Sequence, residues 1–382
     1  MEFGPEHDQL RQVIRQLVER EINPYVDAWE EARRLPAHEL FKKFGEVGAF
    51  GLEYDAAYGG GGVDHSFTVV VAEEIGRVDA GGVSTTLSVQ AAMATPALAR
   101  FGSDELKRNY LEPALTGDMV CSVAVSEAGA GSDVASISTR ARREGGDWVI
   151  NGRKMWITNG AQADWICLLA RTSDEGGYRG MSLILVPTAV HGFSVGRTIE
   201  KMGNYCSDTA ELVLDDVRVP VSHTIGEVGH GFQMQMAQFQ DERLYISYMA
   251  AAGARRALER TIEYLQVREA FGKPLIANQY LQYTLAEAVA EVELLQGFLH
   301  HTAEKVVRGE NVTREATIAK LKVGRLTRMV GDLCVQYHGG MGYAEEAWPA
   351  RYARDSRLTA IAGGADEVML RVLSLMEGMN KR

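Results

Sequence analysis

The sequence predicts a mainly α-helical protein with a β domain in the middle of the chain. Apolar residues recur at helical spacing in the first third and again after Pro220, whereas short β-rich runs bounded by turn residues lie between them. A chain of 382 residues is also too long for one small core. We therefore predict a helical N-terminal domain over 1–119, a middle β domain over 120–229 and a C-terminal four-helix bundle over 230–382.

The N-terminal third carries two apolar faces with the period of an α-helix. The first consists of Leu10, Val13, Ile14, Leu17 and Val18, and the second of Leu40, Phe41, Phe44, Val47 and Phe50. We expect the second helix to continue as far as Gly51. Glycines over 59–62 predict a flexible break, and further helices are predicted over 67–75 and 91–101.

The middle segment contains short runs that are rich in β-branched and other strand-forming residues. These runs lie at 148–150, 165–169, 182–186 and 211–214. Residues typical of turns bound them, namely Gly145-Gly146, Gly176-Gly177, Pro187 and Asp215-Asp216. Short strands separated in this way predict a small barrel or a sandwich.

The last part of the chain returns to long helical segments with few internal breakers. They are predicted over 232–267, 278–308, 313–337 and 366–379. Because the connections between them are short, the helices are expected to be antiparallel neighbours in a bundle.

Composition and charge argue against several classes of function. The formal net charge of −11 and the absence of a basic stripe disfavour a nucleic-acid partner. Apolar runs such as 68–72 are far too short to span a bilayer, and the acidic N-terminus lacks a signal-peptide pattern. We therefore expect a cytoplasmic protein without a membrane span.

Neither a metal site nor a disulfide framework is indicated. Cys121, Cys167, Cys206 and Cys334 are scattered and show no Cys-x-x-Cys spacing. His300-His301 are adjacent on a predicted helix and point to different sides, which makes them poor joint ligands. We predict no metal.

Two blocks, 125–134 and 151–160, are the most informative segments of the chain. In the first, small residues let backbone N–H groups converge while Ser126 and Ser132 offer hydroxyls. In the second, a predicted Asn151-Gly152 turn precedes an exposable Trp156. A planar ring system with polar edges suits both blocks better than a metal or a nucleic acid does.

A Rossmann dinucleotide site is not indicated. The glycines of 339–342 lack the strand before them and the βαβ context that such a site requires. No Gly-x-Ser-x-Gly motif of a serine hydrolase occurs either.

With these motifs in hand, the chain resembles the acyl-CoA dehydrogenase family nearly from end to end. Beyond the two blocks, the resemblance rests on four further segments, 201–209, 216–220, 336–343 and 354–357. It also rests on residues 271–274 together with Tyr264, Arg268 and Gln279. It implies the three domains above and an FAD between the β domain and the bundle. It also implies oxidation of the Cα–Cβ bond of an acyl-CoA thioester, an electron-transferring flavoprotein as acceptor, and a homodimer or homotetramer.

The resemblance nominates residues that contact the cofactor. Beside the flavin ring it implies Val125, Ser126, Gly131, Ser132, Trp156 and Thr158. It implies that Arg268, Phe271 and Gln279 lie near the FAD of a neighbouring subunit, and that Gln336, Gly339 and Gly340 lie near an adenosine end. An arginine beside a pyrophosphate is chemically reasonable, because guanidinium donors fit phosphate oxygens.

The chain departs from the family pattern at three places. Ser126 stands where Thr is usual and keeps a hydroxyl, and Ala128 replaces a frequent Pro. The third departure is 361–365, Ile-Ala-Gly-Gly-Ala, where many relatives have Ile-Tyr-Glu-Gly-Thr. The Glu of that motif is the catalytic base in those relatives, so Gly363 retains the backbone N–H of this position but not the carboxylate.

The missing carboxylate has a candidate in Glu242-Arg243, because the isovaleryl and long-chain branches of the family resemble this chain in carrying Glu before Arg on the first bundle helix. We hypothesise that Glu242 is the base, with Asp241 and Asp366 as alternatives. An exposed, salt-bridged carboxylate would be the ordinary role of a helical Glu. The substrate-binding residues implied are Ser132, Arg243 and Gly363.

The substrate and the reaction class leave alternatives open. Ala362 and Gly363 remove bulk beside the reacting carbons, which favours a long or branched acyl chain such as an isovaleryl or citronellyl type. The competing functions are a flavin-dependent monooxygenase on the same fold, which needs no α-proton base, and a non-catalytic acyl-CoA or acyl-carrier binding protein.

Overall fold

In the computed structural model, which describes residues 1–379, the class of secondary structure changes twice along the chain. Helices occupy the chain from Pro5 to Leu115, strands dominate from Cys121 to Ile225, and helices return at Gly231. The predicted fold class is therefore confirmed.

Residues 5–115 form eight α-helices that enclose an apolar core. They are α1 (Pro5–Glu21), α2 (Val26–Ala32), α3 (Ala37–Glu46), α4 (His65–Ile75), α5 (Gly81–Ser88), α6 (Thr95–Phe101), α7 (Asp104–Leu106) and α8 (Glu112–Leu115). A π-helical turn, Val89–Ala94, joins α5 to α6.

Two details of the N-terminal prediction are wrong, and one helix was not predicted. Val13 lies outside the buried face of α1 and is 43% exposed. The helix α3 ends at Glu46, and Phe50 is buried from the following loop rather than from the helix. The sequence pattern does not predict α5, because the glycines and hydroxyl residues of this segment have low helix propensity. Burial of the helix in the protein stabilises it instead.

Residues 121–225 form one eight-stranded sheet. Its strands are β1 (Cys121–Ala124), β2 (Arg140–Glu144), β3 (Asp147–Thr158), β4 (Trp165–Arg171), β5 (Met181–Pro187), β6 (Phe193–Thr198), β7 (Thr209–Pro220) and β8 (Thr224–Ile225). The order is β6-β7-β3-β2-β4-β5-β8, with β1 parallel to β4. A single residue pair joins β2 to β4, and side chains from both halves of the sheet share one apolar core.

The predicted barrel is therefore not closed by hydrogen bonds, since β6 and β8 end the pairing path within residues 1–379. Two predicted turns are also wrong. Asn151-Gly152 lies inside β3 at a register shift, and Asp215-Asp216 lies inside β7. The Asn151 amide pairs across the strands with Asp216, at 2.8 and 3.0 Å, so these turn-forming residues make a bulge instead.

Residues 231–376 contain the four predicted long helices and two short ones. They are α9 (Gly231–Val267), α10 (Gln279–Val307), α11 (Thr313–His338), α12 (Gly340–Tyr343), α13 (Trp348–Ser356) and α14 (Asp366–Met376). A two-stranded hairpin, β9 (Glu269–Ala270) with β10 (Lys273–Pro274), lies between α9 and α10. Within residues 1–379, no helix combines the length and the low charge that crossing a bilayer requires.

Buried polar contacts join the three parts and position the site. The Gln238 side chain on α9 accepts from the Ala97 N–H on α6 at 2.8 Å. Gln90 accepts from the Cys121 N–H at the start of β1, also at 2.8 Å. Asp355 on α13 accepts from the Gly81 N–H at 2.9 Å. Because an unpaired buried polar group is costly, these contacts fix how the parts pack together.

Candidate active site

Hydrogen bonds to backbone carbonyls bring the two informative blocks together at one edge of the β domain. The first block follows β1 and the second forms the end of β3. The Met155 N–H donates to the Ser126 carbonyl at 2.9 Å. The Ser122 hydroxyl donates to the Thr158 carbonyl at 2.5 Å. Residues of both blocks are therefore neighbours in the structure.

A buried ion pair locks the two blocks to each other. The Lys154 ammonium, which is fully buried, donates to Glu127 at 3.0 Å and to the Val125 carbonyl at 2.8 Å. The Glu127 carboxylate also accepts from the N–H and hydroxyl of Ser138 and from the Thr139 N–H, at 2.6–2.9 Å. Burial opposes this charge, but Lys154 and the hydrogen bonds outweigh it and lower the pKa of Glu127 to about 2.

The surface of the two blocks fits a planar cofactor. Trp156 adopts a positive φ of 66° at a second register shift of β3, and the residue is 60% exposed. In the same two blocks Ser126 and Thr158 are half-buried, and Val125 is buried. Gly131 and Ser132 are exposed, and a Cβ at Gly131 would meet only open space. An exposed aromatic plate flanked by hydroxyls and an open backbone suits a flat ring with polar edges.

The second predicted group of cofactor residues lies at one end of the bundle. Arg268 follows the last turn of α9, Phe271 forms the tip of the β9–β10 hairpin, and Gln279 begins α10. Phe271 and Gly272 both have positive φ, as in a type I′ turn, and Phe271 is fully exposed.

Gln336, Gly339 and Gly340 lie at the end of α11 and the start of α12. The rings of Tyr264 on α9 and His338 on α11 stack with centroids 4.1 Å apart, so these ends are neighbours. The structure therefore brings together the bundle residues that the sequence predicted in two separate motifs.

Glu242 is buried, contrary to the ordinary role of a carboxylate on a helix. Only 7% of its surface is exposed to solvent. Burial raises the pKa of Glu242 to about 7, although the positive charges of Arg243 and Lys320 oppose this shift. A carboxyl group with this pKa is half ionised near neutral pH, which is the range in which a general base works best.

Gly363 lies directly beside Glu242. It has a positive φ of 67°, and a Cβ built on it would lie 3.1 Å from Glu242 Oε1 and 3.1 Å from Ile246. The space that a side chain would fill at position 363 is therefore taken by the Glu242 carboxylate. This contact gives no support to the expectation that Gly363 widens the substrate pocket.

Two cations hold the turn that carries Gly363. Arg243 donates to the Gly363 carbonyl at 3.3 Å. Lys320 on α11 is fully buried and donates to the carbonyls of Thr359 and Gly364, the latter at 3.1 Å. Sequence reasoning missed Lys320 and Lys154, because a lysine in a helix or strand pattern ordinarily indicates a solvated face.

The two alternative bases have other partners. Asp241 forms an ion pair with Arg100, with N–O distances of 2.8 and 2.9 Å. Asp366 begins α14 and lies 3.8 Å from Arg325. Among the three carboxylates, the Glu242 oxygen is the one near the Cβ position of Gly363.

An open groove leads along α9 to Arg243. It has a volume of about 580 Å³ and is lined mainly by one stripe of α9 with Tyr178 and Val372. The lining residues on α9 are Phe232, Gln233, Met236, Ala237, Gln240 and Arg243. From Gln233 to Arg243 the helix rises about 15 Å, so the groove can take a long flexible ligand.

Three protein-family models match consecutive parts of the chain. Acyl-CoA dehydrogenase, N-terminal domain, matches residues 4–118, and the middle domain of the same family matches residues 122–217. Acyl-CoA dehydrogenase, C-terminal domain, matches residues 229–375.

Two curated relatives match over almost the whole chain. A mitochondrial long-chain specific acyl-CoA dehydrogenase of Rattus norvegicus is 33% identical over 374 residues, which cover 97% of this chain and 86% of the relative. A mitochondrial short-chain specific acyl-CoA dehydrogenase of the same organism is 32% identical over 374 residues, which cover 98% and 90%.

Solved structures agree with these matches. The acyl-CoA dehydrogenase from Geobacillus kaustophilus has a TM-score of 0.93 and 34% identity, with 98% of each chain covered. A glutaryl-CoA dehydrogenase from Mycobacterium smegmatis in complex with FADH2 has a TM-score of 0.92 and 31% identity. That match covers 98% of this chain and 95% of the other.

Replacing Lys154 should destabilise the protein severely. Lys154→Met leaves the buried Glu127 carboxylate without its countercharge, and the loss of one partner of a buried ion pair costs about 3–5 kcal/mol. Lys42→Met is the matched control, because its pair with Asp118 is exposed and should be worth about 1 kcal/mol or less. Urea unfolding of both variants measures the difference, and equal losses would contradict the role of the buried pair.

Replacing Gly363 should disturb Glu242. Gly363→Ala adds a Cβ 3.1 Å from the carboxylate at a positive φ, so we expect strain from the contact and from the backbone. Gly177→Ala is the control, because Gly177 has the same φ of 67° and open space around its Cβ position. The free energy of unfolding should fall about 1–3 kcal/mol further for Gly363→Ala than for Gly177→Ala. Equal losses in denaturant unfolding would show that the contact with Glu242 is harmless.

Proposed function

The chain belongs to the acyl-CoA dehydrogenase family, and on that basis we propose that Glu242 is the base of its reaction. Family membership makes the protein an FAD-dependent oxidoreductase that acts on acyl-CoA thioesters. The observation that carries the proposal is a buried carboxylate whose pKa is raised to about 7, next to a glycine at position 363.

The proposed reaction oxidises the Cα–Cβ bond of the acyl group to a trans-2-enoyl thioester. Glu242 takes the α-proton, and its carboxylate thereby becomes a neutral carboxyl group. An FAD held by the two blocks would supply the acceptor for the hydride that leaves Cβ. Burial favours this transfer, because a desolvated carboxylate gains more from a proton than a hydrated one does.

The thioester carbonyl needs polarisation so that the α-proton becomes acidic enough to leave. We assign the Gly363 N–H as the donor to the thioester carbonyl. Arg243 holds the Gly363 carbonyl and Lys320 holds the Gly364 carbonyl, and these contacts fix the turn that carries this N–H. Arg243 and Ser132 are the further substrate contacts in the proposal. The groove along α9 would carry the pantetheine arm to this point, since its inner end is Arg243.

The surface of the two blocks is the proposed flavin wall. Val125, Ser126, Gly131, Ser132, Trp156 and Thr158 would hold the ring. The exposed Trp156 plate and the half-buried hydroxyls of Ser126 and Thr158 support this assignment.

A second subunit is proposed to complete the cofactor site. Along α9, 26 residues separate Glu242 from Arg268, which corresponds to about 39 Å and exceeds the reach of one dinucleotide. Arg268, Phe271, Gln279, Gln336, Gly339 and Gly340 would therefore serve the FAD of another copy. Large apolar side chains exposed at this end of the bundle, Val267, Phe271, Tyr280 and Tyr343, support a homodimer or homotetramer.

The finer features of the proposal are the acyl group, the electron acceptor and the location. We favour a long or branched acyl chain, supported by a cavity beside α9 rather than by Gly363. An electron-transferring flavoprotein is the proposed acceptor, on the strength of the family alone. The four buried thiols support a cytoplasmic location.

The two competing functions predict different outcomes in one experiment, anaerobic mixing of the purified protein with a panel of short, long and branched acyl-CoA esters. A dehydrogenase bleaches the flavin absorbance and forms an enoyl-CoA. A monooxygenase keeps its flavin oxidised until a separate reductant is added, and a binding protein perturbs the spectrum without bleaching. The panel also measures the preferred acyl chain.

Glu242→Gln should keep bound FAD and lose about 10²–10⁴-fold in the rate of bleaching, the usual contribution of a general base. In the unsubstituted protein kcat/KM should rise with pH up to about 7 and then level, because Glu242 must be ionised to accept the proton. Glu263→Gln, on the same helix but exposed, is the charge-matched control. Near-normal bleaching by Glu242→Gln would exclude it as the base.

Phe271→Ala should weaken both self-association and FAD retention, because the ring is fully exposed in one chain. Light scattering and the ratio of flavin to protein absorbance measure the two effects on dilution. Tyr25→Ala, which removes a half-exposed ring from the N-terminal part, is the control. An unchanged mass and flavin content for Phe271→Ala would contradict the shared site.

A further inference from the structure

Lys320 on α11 places an ammonium group inside the bundle, where the residue is fully buried. Its two side-chain hydrogen bonds go to carbonyl oxygens, those of Thr359 and Gly364. Lys154, which is also fully buried, pairs instead with the Glu127 carboxylate at 3.0 Å. Because a carbonyl group carries only a partial charge, the direct partners of Lys320 do not neutralise it, and its charge acts on ionisable groups farther away.

The Lys320 side chain lies close to Glu242, around position 363. From the point where a Cβ of residue 363 would stand, Lys320 Cε is 3.3 Å away and Glu242 Oε1 is 3.1 Å away. The ammonium nitrogen is one bond beyond Cε, so it is at most about 8 Å from the carboxylate oxygen. Two charges at this separation interact strongly inside a protein, where the effective dielectric constant is about 20.

The charged groups around Lys320 come from three helices. Burial lowers the pKa of Lys320 to about 8, whereas Asp366 at the start of α14 and Glu242 on α9 favour its charged form and Arg243 opposes it. Asp366 in turn lies 3.8 Å from Arg325, which is exposed. Lys320 is therefore still an ammonium ion at neutral pH.

Glu242 needs nearby positive charge in order to act as a base. Burial by itself favours the neutral carboxyl group, which cannot accept a proton. Arg243 opposes burial most and Lys320 next, so that the pKa of Glu242 stays near neutrality, at about 7. Arg243 lines the open groove, where water screens its charge, whereas the charge of the fully buried Lys320 is screened little.

Resting on the proposed function, we propose that Lys320 is a positioning residue whose ammonium group, held by the carbonyls of Thr359 and Gly364, keeps Glu242 ionised so that Glu242 can take the α-proton. In this role Lys320 acts through Glu242 and needs no contact with the reacting carbons. The same attraction favours the loss of the proton that Glu242 has taken, which restores the carboxylate for the next turnover.

Lys320→Gln removes the charge and keeps an amide that can donate to a carbonyl group. The midpoint of the rise of kcat/KM with pH should move upward by about 1–2 pH units, the effect of one charge at this distance, so that kcat/KM at pH 7 falls about 5- to 50-fold. The limiting value at high pH should be nearly kept. Lys322→Gln, on the same helix but exposed, is the charge-matched control and should leave the midpoint unchanged. An equal loss at every pH would show a purely structural role and overturn the proposal.

Infrared spectroscopy follows the ionisation of Glu242 without turnover. Its carboxyl band is the one that is missing in Glu242→Gln, and its titration midpoint in the FAD-loaded protein should rise in Lys320→Gln but not in Lys322→Gln. This measurement separates the inference from the proposed function. Near-normal flavin bleaching by Glu242→Gln excludes Glu242 as the base, whereas an infrared midpoint that Lys320→Gln leaves unchanged overturns the role of Lys320.

The reciprocal effect tests the inference if Lys320→Gln does not fold. Because coupling between two groups is mutual, Glu242→Gln should lower the pKa of Lys320 by the same amount, about 1–2 pH units. ¹³C NMR of protein labelled at lysine Cε measures this change. Lys154 is the internal control, because burial also lowers its pKa to about 8 and its partner Glu127 is untouched. A Lys320 titration that is the same with and without the Glu242 carboxylate overturns the proposal.

Discussion

The site depends on a steric constraint between Glu242 and position 363. A Cβ at Gly363 would lie 3.1 Å from Glu242 Oε1, closer than an ordinary contact, so a side chain at this position would have to displace the carboxylate. Glycine also tolerates the positive φ of the turn. The surroundings follow from this arrangement: Arg243 and Lys320 hold the carbonyls around the turn, and burial raises the pKa of the carboxyl group. The absence of a side chain at position 363 thus leaves room for the buried carboxylate of Glu242.

The surface of the two blocks is built on a different interaction. The Glu127–Lys154 pair and the Met155–Ser126 hydrogen bond tie a loop to a strand, and the bulge that follows turns Trp156 outward. Because the ion pair is buried and both carboxylate oxygens are hydrogen-bonded, it fixes the relative position of the two blocks. Rigid support of this kind is what a binding surface for a planar ring requires.

One chain does not supply every predicted cofactor contact at one place. The two blocks belong to the β domain, whereas Arg268 and Phe271 lie at the far end of α9, about 39 Å from Glu242. This separation along α9 is the observation on which the proposed shared site rests. The type I′ hairpin that presents Phe271 to solvent suits such a role, because a short turn holds an exposed ring away from its own chain.

The amino-acid sequence by itself determined the order of helices and strands, the ends of the long bundle helices to within a few residues, and the two blocks, because these depend on local periodicity and residue type. It nominated Glu242 only through a resemblance. Tertiary structure decided the rest. Asn151-Gly152 became a bulge because Asp216 pairs with it across the sheet, and Glu242 became buried because a turn about 120 positions away packs against it. Burial, and with it the pKa of a carboxyl group, is a property of contacts between distant segments, which no local pattern contains.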